Sequence, residues 1–166
     1  MEIFTSQNLE FFARLLLAVF FGGLIGLERQ MAHKTAGLRT FALVALGSAL
    51  LTVISILLSQ DSLSGSGFDI SRIPSQIVTG IGFIGAGLII FHGMRPKGIT
   101  TAAGLWVSAA VGIATGFGFY LIAAFTTLLT ILIFVIFWFF EEKIIEKWEW
   151  TEQPEEERNS SARNEK

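Results

Sequence analysis

The chain contains no cysteine, only three prolines and only two histidines in 166 residues. Without cysteine there is no disulfide, no zinc-thiolate site and no thiol nucleophile, and the redox compartment leaves no mark. His33 and His92 are separated and have no Ser/Asp constellation at a useful spacing. Neither hydrolytic catalysis nor a histidine-held metal is therefore expected. Phosphate-loop, dinucleotide and nucleic-acid motifs are also absent, so neither a cofactor nor a nucleic-acid partner is expected, and the chain reads as not an enzyme. Charge is scarce at 16%, where a soluble domain carries about 25%. A cleaved leader would open basic. Here the first positive charge is Arg14, after two acids, and the apolar run 15–27 ends in Glu28-Arg29. That run is expected to stay as a helix.

What the chain has instead is apolar surface: 52% hydrophobic residues and a mean hydropathy of +0.61. Crossing the hydrocarbon core takes about 20 mostly apolar residues. Five segments approach that length, 9–27, 38–58, 73–92, 101–116 and 118–140. The expected fold is all-α, a polytopic membrane bundle of about five transmembrane helices occupying residues 1–140. Residues 141–150 read as an interfacial helical extension near Trp138, Trp148 and Trp150, and 151–166 as a disordered acidic tail. Gly116 to Tyr120 suits a tight turn between the last two spans, because two glycines relieve the backbone there. Ser71 is expected to cap the third helix, with Pro74 in its first turn, and Thr100 or Thr101 the fourth.

Loop charges give an orientation. Arg29, Lys34, Arg39, Arg95, Lys97, Lys143 and Lys147 fall on one side, and Arg14 and Arg72 on the other. Cytoplasmic loops are the Lys/Arg-rich ones, which puts the N-terminus outside and the C-terminus in the cytoplasm. The 59–71 stretch, polar and rich in Gly and Ser, reads as an outer loop.

Seventeen glycines are present, many inside the spans. Helices in lipid associate by close packing, which small residues permit. Gly22 and Gly26 in the first helix, Gly80, Gly82, Gly85 and Gly87 in the third, and Gly104, Ser108 and Gly112 in the fourth are the expected packing positions. The last three share one face through their four-residue spacing. Two sharper readings stay open: that the glycine-rich third helix is broken or lines a cavity, and that the fourth-helix face makes a homo-oligomer.

Ionisable residues in or near a span are functional candidates because their burial is costly. Arg14 follows Glu10 by four residues, a spacing that favours an ion pair on one helix. Glu28 is the one carboxylate at the inner edge of the apolar core, and Arg29 beside it is a poor partner, since adjacent helical residues point apart. Glu28, Arg29, Arg39, Thr40, Arg95, Lys97, Thr100 and Thr101 form an inner polar cluster. Its ionisable members are five cations against Glu28 once Lys34 is counted. Such a face suits an anion, a lipid headgroup or an acidic partner. On the outer side, Arg72 and Gln76 lie one turn apart, and Gln76 should find a partner on another helix. Magnesium wants hard oxygen ligands. No metal site is expected in one copy, and only a ring of Glu28 in an oligomer would supply one.

Five motifs in order carry a resemblance: Gly22-Gly-Leu-Ile-Gly-Leu-Glu-Arg29, Ala36-Gly-Leu-Arg-Thr40, Leu46-Gly-Ser-Ala-Leu50, Gln76-Ile-Val-Thr-Gly-Ile-Gly-Phe-Ile-Gly-Ala-Gly87 and Gly98-Ile-Thr-Thr-Ala-Ala-Gly-Leu-Trp106. Over residues 14–116 the chain resembles the MgtC/SapB family of bacterial inner-membrane proteins. Arg14, Glu28, Arg29, Arg39, Thr40, Gln76, Thr100 and Trp106 stand at matching motif positions. The resemblance implies a multi-pass inner-membrane protein linked to magnesium homeostasis. It also implies regulation through membrane partners, in some members the proton-translocating ATP synthase. The chain departs from the family in two ways: it resembles a short form without the soluble C-terminal domain, and Phe41 stands where relatives are often polar. The expected function is a non-enzymatic membrane regulator. A small oligomeric transporter or channel for a cation or other solute is the alternative.

Overall fold

A computed structural model describes residues 6–61, 69–92 and 95–152. The acidic tail beyond Glu152 and most of the Gly/Ser-rich loop lie outside the described residues. Five helices dominate: α1 (Ser6–Met31), α2 (Leu38–Asp61), α3 (Arg72–Leu88), α4 (Ile99–Gly116) and α5 (Tyr120–Glu152). Between α3 and α4 stands a hairpin of β1 (Ile90–His92) and β2 (Arg95–Lys97), with Ile90 opposite Lys97 and Phe91 opposite Pro96. The chain is an all-α membrane bundle. By length and composition four helical stretches can cross a bilayer: Ser6–Met31, Leu38–Gln60, Ile99–Gly116 and Tyr120–Phe140. The chain divides after Ile131 into two compact units, and the packing below belongs to the first.

α2 is the central helix. It packs against α1 on one side and α4 on the other, and α1 also touches α4. α1 runs antiparallel to α2, with Gly22 against Ala45 and Phe41 and Gly26 against Leu38. α4 runs parallel to α2: Ser108 lies by Phe41, Gly112 by Ala45 and Gly116 by Thr52. The interior is built from small side chains, including Ala18, Ala45, Ala49, Ala109, Ser48, Thr52 and Ser108, all buried. Large apolar side chains point outward, with Phe83 and Leu121 more than four-fifths exposed. Water would not tolerate that outer surface, whereas lipid tails do, and small inner residues let the backbones approach. On α5 the buried positions Ala123, Thr127 and Thr130 share one helical face.

Three expectations are corrected. The third helix was expected to reach His92 but stops at Leu88. Ile89 turns extended, and its N–H bonds the Ala86 carbonyl. The β-branched Ile89-Ile90 pair and Phe91 favour extension, and the rest of the segment becomes β1. At 17 residues α3 rises about 26 Å, less than the hydrocarbon thickness of about 30 Å. Second, Ser71 places no side-chain cap on α3. Its hydroxyl and its N–H both donate to the Asp69 carboxylate instead. Third, neither Thr100 nor Thr101 caps α4, because Gly98 holds that position at φ +92°. A Cβ there would collide with the Leu88 carbonyl, so only glycine fits the hairpin exit. The α4–α5 turn forms where the glycines suggest it, with Gly118 at φ +85°.

Substituting Gly112 with Leu should cost about 1–3 kcal/mol or more, since even a Cβ would stand 2.9 Å from Ala45 Cα and Ser48 Cβ. Gly82→Ala, which meets nothing within 4 Å, should leave stability unchanged or raise it by up to about 1 kcal/mol. Thermal unfolding in detergent reads both. Hydrogen bonds from the Ser71 hydroxyl and then its backbone N–H hold the Asp69 carboxyl below its ordinary value. Its stabilising share should be whole above about pH 3.9, the unfolded value, and fade as pH falls through the lower folded one. In an NMR titration Ser71→Ala should move Asp69 back upward.

Candidate functional site

The contacts gather the end of α1, the start of α2, the hairpin and the start of α4 at one end of the bundle. α1 closes with the Lys34 N–H on the Arg29 carbonyl and the His33 N–H on the Gln30 carbonyl, and His33 takes φ +53°. The Gln30 side chain then accepts the Leu38 N–H at 3.3 Å and so caps α2. This tight link fixes Arg29 and Arg39 relative to each other.

Within it lies the most buried charge of the described chain. Arg29 is 3% exposed. Its Nε donates to one Glu28 oxygen and its terminal nitrogen to the other at 2.6 Å. The expectation that these neighbours would not pair is overturned. Their Cβ atoms do point apart, but the long arginine arm wraps the helix's last turn and its planar fork meets the carboxylate in bidentate fashion. Glu28, 16% exposed at its side chain, therefore has both oxygens engaged.

The other members of the expected cluster disperse. Arg39 is exposed and Thr40 half-buried on α2, both lining a groove between α2 and α3. Lys97 is exposed on β2, where the Arg95 backbone also lies, and the Arg95 side chain is outside the described residues. Thr100 is exposed and Thr101 buried in the first turn of α4. Among the described residues no group of three or more His, Asp or Glu side chains stands close enough to hold a metal ion.

At the far end Arg14 pairs with Glu10, lies 5.5 Å from the Phe11 ring and donates to the Gly116 carbonyl at 2.7 Å. That last bond ties α1 to the C-terminus of α4. It was not foreseen, although the signal was there: a helix ending at a glycine turn leaves carbonyls that a cation can satisfy. Arg72 is exposed on α3. Gln76 makes no bond to another helix among the described residues; it lines the groove.

That groove encloses about 1030 Å³. Its α2 wall includes Leu43, Gly47 and Leu51, and its α3 wall Ile73, Gly80 and Ile84. It exists because α3 leans on α4, through Gly85 against Ala102, and touches α2 only sparsely. α3 is continuous rather than broken. Of its four glycines only Gly85 is packed, whereas Gly80, Gly82 and Gly87 meet nothing within 4 Å. Gly22, Gly26 and Gly112 do pack, and Gly104 and Ser108 are buried.

The MgtC family model matches residues 15–143. A protein named "Putative magnesium transporter YhiD" from Escherichia coli K12 is 46% identical over 130 residues, covering 77% of this chain and 60% of its own. "Protein MgtC" of Brucella abortus is 48% identical over 116 residues, 70% of this chain and 46% of its own. "Protein MgtC" of Salmonella typhimurium is 49% identical over 104 residues, 63% and 42% of the two chains. The chain thus spans about half the length of the curated relatives it matches. No solved structure matches.

Glu28→Gln removes the carboxylate that neutralises a guanidinium 97% buried, and should cost about 3–5 kcal/mol in detergent unfolding. The double change with Arg29→Met should recover most of it, because the buried charge then disappears as well.

Proposed function

We propose, from the premise that this chain belongs to the MgtC family, that it is a non-enzymatic regulator of the bacterial inner membrane. It acts through membrane-protein partners and is linked to magnesium homeostasis. Its basic end, with Arg29, Arg39 and Lys97, faces the cytoplasm. The link to magnesium is supported by the name of the Escherichia coli relative, and the membrane setting by four spanning helical stretches.

The observation that carries the regulatory reading is the Glu28–Arg29 pair. A magnesium pathway needs hard oxygen ligands, above all carboxylates. Among the described residues the carboxylate at this edge of the bundle, Glu28, gives both its oxygens to a buried guanidinium. A ring of Glu28 in an oligomer would first have to break that pair in every copy, which favours a partner-binding role over conduction.

The second reading, a small oligomeric transporter or channel, is motivated by the open faces of Gly80, Gly82 and Gly87, which pack against nothing among the described residues. Close contact with a second copy would use such positions.

Two experiments separate them. Crosslinking in native membranes followed by co-purification should recover a specific membrane-protein partner. Protein reconstituted in liposomes should pass magnesium, potassium and protons no faster than empty liposomes. Flux that disappears in a folded Glu28→Gln variant would overturn the regulatory reading.

A further inference from the structure

We propose that the groove between α2 and α3 is a binding site for one anionic phospholipid, whose acyl chain lies between the two helices and whose phosphate sits on Arg39. Four features of the groove support this. Among the described residues its walls are apolar apart from Arg39, Thr40, Ser48 and Gln76, and none that lines it is acidic. Arg39 is exposed and has no ion-pair partner among the described residues, in contrast to Arg14 and Arg29. Among the described lining residues the groove's only ionisable side chain is thus a cation, and it stands at one end. The α2 lining begins at Arg39 and ends at Leu51, both within the Leu38–Gln60 span.

Length decides between a lipid and a partner helix. The rise from Arg39 to Leu51 is about 18 Å. One leaflet contributes about half of the roughly 30 Å hydrocarbon thickness. A groove of leaflet depth with a cation at its mouth fits a lipid tail hanging from a phosphate. A spanning helix would have to continue past Leu51 and Ile73, where the groove has ended. The bottom of the groove is open because Gly47 and Gly80 carry no side chain and nothing else comes within 4 Å of where a Cβ would stand. Thr40, next to Arg39 on α2, adds a hydroxyl at the same mouth, suited to phosphate or glycerol-ester oxygens. The site stands on the groove alone and holds whether the protein regulates partners or conducts a solute.

The test uses the full chain reconstituted with equal parts phosphatidylcholine and phosphatidylglycerol, extracted gently and weighed by native mass spectrometry. Wild type should retain phosphatidylglycerol over phosphatidylcholine by about fivefold, the worth of one basic residue at a membrane surface. Arg39→Gln should bring the two lipids to parity with total bound lipid unchanged, and Arg39→Lys should keep the preference. Gly47→Leu and Gly80→Leu, which extend into open space, should lose bound lipid of either kind while the unfolding temperature stays put. Equal retention of the two lipids by wild type would overturn the site, and so would a preference that survives Arg39→Gln. A photoreactive group at Leu43 that captures a protein in native membranes instead of lipid would assign the groove to a partner helix. Because the retention assay holds no other protein, its failure leaves the regulatory reading untouched, and a failed partner search leaves the lipid site untouched.

Discussion

The structure depends on how closely two helices approach α2. In a bilayer the lipid tails are as apolar as any side chain, so burial alone does not press helices together, and packing and hydrogen bonds must. Here the neighbours of α2 are reduced to hydrogen atoms at the crossing points. Gly22 and Gly26 admit it from the α1 side, and Gly112 and Gly116 from the α4 side. One interhelical bond fixes the register, the Ser108 hydroxyl donating to the Phe41 carbonyl at 3.0 Å. Thr52 and Thr115 satisfy themselves locally, on the Ser48 and Val111 carbonyls, while the Ser55 hydroxyl donates to the Ile70 carbonyl just ahead of α3. None of these three hydroxyls brings an unmet polar demand into the apolar interior. Phe41, fully buried at the same crossing, fills the volume the glycines vacate.

This seam was legible in the sequence because four-residue spacing is a geometric statement: Gly104, Ser108, Gly112 and Gly116 must share a face. The glycines of α3 have a similar composition and a different outcome. Gly85 meets Ala102, while Gly80, Gly82 and Gly87 face open space. Composition says that a helix can be approached closely; it does not say from which side a neighbour arrives. That depends on the hairpin at 90–97, itself hidden inside what looked like the tail of an apolar span. The hairpin in turn needs a left-handed residue at Gly98, a backbone demand that hydropathy does not register.

Charge was legible by location and misleading by pairing. Arg29, Arg39 and Lys97 do lie at one end of the first unit, but they do not form one cluster. Glu28 and Arg29 neutralise each other and leave the surface, because an arginine at a helix terminus can curl back over the last turn. The helical-wheel rule describes Cβ directions and fails for a side chain long enough to reverse its own direction. Arg14, read as a local pair with Glu10, also anchors the carbonyl end of α4. Both outcomes follow from the same physics: a guanidinium within an apolar slab takes every acceptor in reach, backbone carbonyls included.

Removing Arg29 and Glu28 from the surface changes what Arg39 means. With the Glu28 carboxylate already taken, Arg39 faces an apolar groove without a counter-ion among the described residues. The groove opens where α3 leans on α4 and touches α2 only sparsely. A third helix running on to His92 would have continued one turn further along α4. Instead its last residues fold into β1, and α3 leans away on Ala102. The early helix end and the left-handed Gly98 belong to the hairpin, and the unpacked Gly80 and Arg39 to the groove between α2 and α3. The phospholipid proposed for this opening answers both of its features, an anionic head for Arg39 and hydrocarbon for the apolar walls, and the bilayer itself supplies that molecule.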